Sequence, residues 1–228
     1  MKSARNKLAR RWHQLMGTLG IAVALRSKHA FEEAAWGVFE DLCRRYSEPH
    51  RAYHNLSHLE ALFSLLDEYE IPERPAVALA VWFHDAVYDP TRTDNEERSA
   101  LLAQTQLKGL ELKASLRERV GELIRATQTH QPTDATAVWL LDADLAILGS
   151  EPQVYFAYAR AIRLEYAWMP QERYREGRVR ILTGFLERPQ IYHTAPFRQR
   201  FEASARQNLT EEVLRLRKTG GERSQTLT

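Results

Sequence analysis

Leu59-Glu60-Ala61-Leu62-Phe63-Ser64-Leu65-Leu66-Asp67-Glu68-Tyr69 carries the reading of the fold, because Leu59, Leu62, Phe63, Leu66 and Tyr69 recur at spacings of three and four. That period lays one apolar stripe along an α-helix and does not match the alternation of a half-buried strand. Leu116, Val120, Leu123, Ile124 and Thr127 repeat the pattern, as do Tyr155, Tyr158, Ile162 and Tyr166. The nine prolines separate blocks long enough for helices, and few runs alternate like strands. The expected fold is all-α. Residues 1–218 contain no internal repeat or low-complexity linker and are expected to form a single domain. From Thr219 onward, Gly220-Gly221 and the polar residues to position 228 are expected to form a disordered tail.

A chain of 228 residues can bury a sizeable core without covalent staples. Cys43 is its one cysteine, which excludes an intrachain disulfide framework and a cysteine-based zinc cluster. A reducing compartment suits such a chain, and the expected location is cytoplasmic. The formal net charge of +2, from 32 basic and 30 acidic residues, gives no ground for a nucleic-acid partner. Lys2, Arg5, Lys7, Arg10 and Arg11 precede the apolar stretch Leu15 to Leu25, an outline shared with secretory signals. Trp12, His13 and Gln14 interrupt that outline, and the stretch is too short for the roughly 20 residues that cross a bilayer. A terminal helix packed on the domain is expected there, with no membrane partner.

Three apolar segments each carry His or Asp towards the interior. His54-Asn55-Leu56-Ser57-His58 leads into the first helix, and an i, i+4 pair of histidines at its opening would share one face. His84-Asp85 closes the apolar block Ala76 to Phe83, and Asp142 and Asp144 lie within Trp139 to Leu148. A carboxylate in such surroundings is costly to bury unless something pairs with it. One divalent cation would satisfy several of these groups at once. Other readings exist residue by residue: Asp142 could cap a helix or pair with an arginine, and His130, just before Pro132, could simply end a helix.

The order His, His-Asp, Asp resembles that of the HD-domain superfamily of metal-dependent phosphohydrolases, whose name-giving pair corresponds here to His84-Asp85. Tyr53-His54-Asn55-Leu56-Ser57-His58, the stretch Trp82 to Asp89, Asn95 to Ala100 and Leu141-Asp142-Ala143-Asp144-Leu145 look like the bacterial branch of predicted HD phosphohydrolases. Ile162 to Tyr166, Gly177-Arg178 and Ala205 to Leu209 extend the similarity over most of the chain. The resemblance implies an HD-domain-like helical bundle. The string Tyr53 to His58 is also similar to the opening motif of cyclic-nucleotide phosphodiesterases, in which the first His gives a proton to the leaving oxygen and the second binds metal. Carried over by position, His54 is the general acid and His58 a metal ligand. The string Ala143-Asp144-Leu145 implies Asp144 as the last ligand, with Asp142 as the alternative. After His84-Asp85 the chain lacks those enzymes' further downstream His, and it has no counterpart of their purine-selecting glutamine region. Cyclic-nucleotide specificity is therefore not implied.

The implied activity is hydrolysis of a phosphoester or nucleotide by metal-activated water. The shell is His58, His84, Asp85 and Asp144, with Asp85 able to bridge to a second cation and His54 as proton donor. His130 stands where related proteins place histidines for a second metal or for phosphate. Glu96 could hydrogen-bond a ligand histidine. Arg163 and Arg178 could hold a phosphate, although arginines on amphipathic helices are commonly solvated or paired. The ligand set admits Mn, Fe, Co, Ni, Zn or Mg. The expected partner is a small phosphorylated molecule or nucleotide, and no motif reads its base or sugar. Two other expectations share the same ligands: a di-iron HD-type oxygenase, and a non-catalytic nucleotide-binding module.

Overall fold

The computed structural model describes residues 2–20 and 28–221. Its described residues form helices and turns without a strand, so the protein is all-α. None of these helices is long and apolar enough to cross a membrane. The chain divides into two compact units, Met1–Leu141 and Asp142–Thr228, and the division falls inside a helix rather than at a linker.

The first unit contains α1 (Lys2–Gly20), α2 (Lys28–Arg45), α3 (Leu56–Leu66), α4 (Arg74–Phe83), α5 (Asn95–Gly109), α6 (Ala114–Ala126) and the start of α7 (Ala137–Leu145). On α1 the residues Ala4, Leu8, Trp12 and Met16 are buried, a stripe at every fourth position that packs on α2 and α3. The apolar stretch expected from Leu15 to Leu25 thus begins as part of a packed helix; positions 21–27 lie outside the described residues. Helix α4 is apolar nearly all round, as a helix enclosed by neighbours must be. Trp82 sits at its core, with the rings of Trp12, Phe63 and Phe39 at 5.3, 5.2 and 5.9 Å between centroids. This packing fixes the end of α4, where His84 and Asp85 follow.

The expected helix from Leu59 to Tyr69 is α3, displaced towards its N-terminus. The Asn55 side chain accepts a hydrogen bond from the Ser57 N–H at 2.9 Å and caps the helix, so α3 starts at Leu56. His54 therefore stands before the helix, and the shared helical face expected for His54 and His58 does not exist. At the other end Asp67 terminates the helix, and Tyr69 packs its ring on Trp139 from outside it, 5.4 Å between centroids.

The second unit continues from the last turn of α7 through a 3-10 turn at Ala146–Gly149, α8 (Pro152–Glu165), α9 (Gln171–Leu186) and α10 (Ala195–Gly221). The 3-10 turn lies directly on α10. A Cβ at Gly149 would come within 2.5 Å of the Phe201 carbonyl oxygen, so only glycine permits the approach. Asn208 on α10 secures the same turn by donating to Leu148 O and Ser150 O at 2.9 and 2.8 Å. Helix α10 reaches Gly221, three residues into the stretch expected as a disordered tail; the rest of that stretch, 222–228, lies outside the described residues.

Candidate metal centre

The first unit brings His54, His58, His84 and Asp85 together. His58 comes from α3, buried one turn after the Asn55 cap, while His84 caps the C-terminus of α4 and is 1% exposed. The His84 Nδ1 lies 2.9 Å from the Val81 carbonyl oxygen. A carbonyl only accepts, so Nδ1 carries the proton and a neutral His84 turns the bare lone pair of Nε2 away from the helix. That Nε2 lies 3.2 Å from His58 Nε2 and 3.1 Å from Asp85 Oδ2, and His58 Nε2 lies 3.8 Å from the same oxygen. Two imidazole nitrogens and a carboxylate oxygen, each of a type that can ligate a cation, thus converge on one point.

The two contacts of His84 Nε2 match the spacing of atoms that share a metal ion, and the 3.8 Å between His58 and Asp85 is wider. Bonds of about 2.1 Å place neighbouring ligand atoms about 3.0 Å apart on an octahedron and about 3.4 Å apart on a tetrahedron. Asp144, expected as the last ligand, lies on the last turn of α7, in the second unit.

Asp142 has another task. Its Oδ1 accepts the His193 N–H at 2.8 Å and its Oδ2 the Thr194 N–H at 2.7 Å, tying the end of α7 to the residues that precede α10. Two positions along a helix turn the side chain by about 200°, so Asp142 and Asp144 leave α7 on opposite sides. Asp142, the alternative ligand, has both oxygens engaged by backbone donors. Burial nonetheless pushes its carboxyl above the usual aspartate range, and the two N–H donors act in the other direction.

His54 Nε2 is 4.0 Å from Asp85 Oδ2, and its ring stands between Tyr53 and Tyr88, 5.0 and 4.4 Å between centroids. The turn after α4 that carries Asp85 is held from several sides. Asp85 N–H donates to the Tyr46 hydroxyl at 3.2 Å, Val87 N–H to Ser99 Oγ at 3.0 Å, and Asp89 N–H to Asn95 Oδ1 at 3.0 Å. Arg51 donates to the carbonyls of His54, Asp85 and Ala86. None of Arg51, Tyr46, Asn95 and Ser99 was marked by spacing as a site residue. An arginine in a non-helical segment has no periodic signature, and its buried acceptors are distant in sequence.

Glu96 begins α5 half-buried. Burial raises its carboxyl above the usual range, the Asp85 charge adds to this, and His130 and His84 oppose it. Glu96 was expected as the hydrogen-bond partner of a ligand histidine; for His84 Nδ1 that partner is the Val81 carbonyl. His130 follows α6 with a left-handed backbone, φ 49°, its N–H donating to Ala126 O at 3.1 Å. It lies beyond the Thr127 cap of α6 and acts electrostatically on Glu96.

The two arginines that could hold a phosphate, Arg163 and Arg178, are engaged in the second unit. Arg163 donates to the Tyr166 and Met169 carbonyls at 2.5 and 3.3 Å and lies over the Tyr174 ring, closing the end of α8. Arg178 is buried in a two-pronged ion pair with Glu212, 2.9 and 3.1 Å. Both guanidinium groups are engaged by the second unit's own acceptors, which is the paired reading of an amphipathic-helix arginine.

No protein-family model, curated protein or solved structure matches the chain. The reading of the site therefore rests on its own geometry.

Proposed function

We propose that the protein is a metal-dependent phosphohydrolase of HD type, acting on a small phosphorylated molecule or nucleotide. One observation carries the reading. His84, with Nδ1 directed at the Val81 carbonyl, presents Nε2 to His58 Nε2 and Asp85 Oδ2 at 3.2 and 3.1 Å, with His54 at 4.0 Å from that carboxylate oxygen. Several donors for a cation and one imidazole set beyond them are the parts that metal-assisted hydrolysis with a separate proton donor requires.

In this reading His58, His84, Asp85 and Asp144 hold the metal, for which two imidazoles and two carboxylates favour Mn, Fe, Co, Ni or Zn and allow Mg. A divalent ion bound there supplies a water acidic enough to be deprotonated near neutral pH and positive charge for the phosphoryl oxygens. His54 Nε2 gives its proton to the leaving oxygen. Tyr53 and Tyr88 restrict the His54 ring to an edge-on and a tilted contact, so the donor nitrogen keeps its direction.

The test is metal analysis of purified protein followed by a panel of phosphate esters and nucleotides. Hydrolysis that needs added divalent metal and falls at least about 100-fold in Asp85→Ala is expected. Full activity in a metal-loaded Asp85→Ala variant would place the reaction elsewhere. Oxygen uptake with iron and no hydrolysis would replace this reading by the di-iron oxygenase. Nucleotide binding without turnover would replace it by the binding module.

A further inference from the structure

The reading of His54 as proton donor leaves a physical problem. His54 precedes α3 and Asp85 follows α4, so neither residue has its backbone fixed within a helix. Arg51 meets both. Its side chain is wholly buried, and four of a guanidinium's five N–H directions are used. Nε donates to Glu48 Oε2 at 2.9 Å, one terminal nitrogen donates to His54 O at 3.1 Å and Asp85 O at 2.7 Å, and the other donates to Ala86 O at 3.3 Å. The Tyr46 and Tyr88 rings lie 5.0 and 5.3 Å from the guanidinium carbon and compensate part of its lost hydration. A single nitrogen thus joins the backbone of the proton donor to the backbone of the metal-side carboxylate.

We propose that Arg51 is the positioning residue of this site, setting the separation of His54 from Asp85 through their carbonyl oxygens. The proposal rests on the phosphohydrolase reading for its catalytic consequence, while the clamp itself is independent of the reaction. Lysine cannot replace it, because a compact ammonium lacks the planar fork that reaches acceptors in several directions. His58 and His84 are held by α3 and α4, so metal affinity should depend little on Arg51.

The experiment compares wild type, Arg51→Lys and Arg51→Ala, each loaded with Mn(II), on two esters. The leaving group of p-nitrophenyl phosphate departs without a proton, whereas that of glycerol 1-phosphate requires one. Misplaced His54 is expected to lower kcat for the glycerol ester about 100-fold and for the nitrophenyl ester less than about 5-fold, with Mn(II) affinity within about 3-fold of wild type. Equal losses on both esters, or none, would overturn the positioning role. Amide hydrogen exchange on the metal-free proteins tests the clamp separately: exchange at 52–55 and 85–88 is expected to accelerate in Arg51→Ala while α6 stays protected. Unchanged exchange at both segments would refute the clamp. A wild type inert on both esters counts against the phosphohydrolase reading, and exchange then decides the clamp alone.

Discussion

Both units bury charge, and they do so in opposite ways. In the second unit Arg178 and Glu212 are each about nine-tenths buried and form a closed pair, to which the Tyr155 hydroxyl donates and which reaches the Tyr158 hydroxyl at 3.4 Å. Cation, anion and hydrogen-bond donors are all protein groups. In the first unit His58, His84 and Asp85 converge with imidazole nitrogens and a carboxylate oxygen 3.1 to 3.8 Å apart. The contrast separates a buried network built from an arginine and a carboxylate from a cluster of imidazoles and a carboxylate, whose atoms are of the kind that can hold a metal ion.

The largest effect should come from breaking the closed pair. Glu212→Ala strands the Arg178 charge in the interior and is expected to lower unfolding free energy by about 3–5 kcal/mol in denaturant titration. Divalent-metal binding should be unaffected. The open cluster should behave in reverse. His84→Ala is expected to weaken binding of a first-row divalent metal at least about 100-fold by calorimetry and to abolish the rise in melting temperature that metal gives wild type. The metal-free variant should lose less stability than Glu212→Ala. Equal destabilisation together with unchanged metal binding would erase the distinction between the two networks.

The smallest effect belongs to an exposed counterpart of the Arg178 pair. Arg119 grips Asp134 with two contacts of 2.8 Å in the first unit, at a surface position. Arg119, helped by the Ala137 and Thr136 N–H groups, holds the Asp134 carboxyl well below the usual aspartate range. A depressed carboxyl contributes stability above its unfolded pKa of about 3.9 and loses it as pH falls towards the folded value. Asp134→Asn should remove this acid dependence and cost less than about 1 kcal/mol at neutral pH, because solvent screens the pair. Melting curves of both proteins from neutral to acidic pH measure the difference. A cost as large as that of Glu212→Ala would show that burial is not what separates the two pairs.

The helices were legible because their signal is local: Leu59, Leu62, Phe63 and Leu66 report a period and are all buried on α3. That His84 and Asp85 would lie among apolar residues was legible for a similar reason, since the pair stands at the end of an apolar block. What was not legible depended on partners far along the chain. Asn55 takes the cap and leaves His54 outside the helix. Asp142 is used by backbone donors about fifty positions away, and Arg178 by Glu212 on α10. Arg51 was silent because its acceptors lie on a turn more than thirty residues later.

By itself the sequence determined an all-helical chain and the residue types that could ligate a cation, because periodicity and side-chain chemistry are properties of short stretches. Tertiary structure decided which of those polar groups are already satisfied. A buried group must find its hydrogen bonds or its counter-charge somewhere, and only the folded chain shows that Asp142 finds backbone donors, that Arg178 finds Glu212 and that the Nε2 atoms of His58 and His84 meet at 3.2 Å.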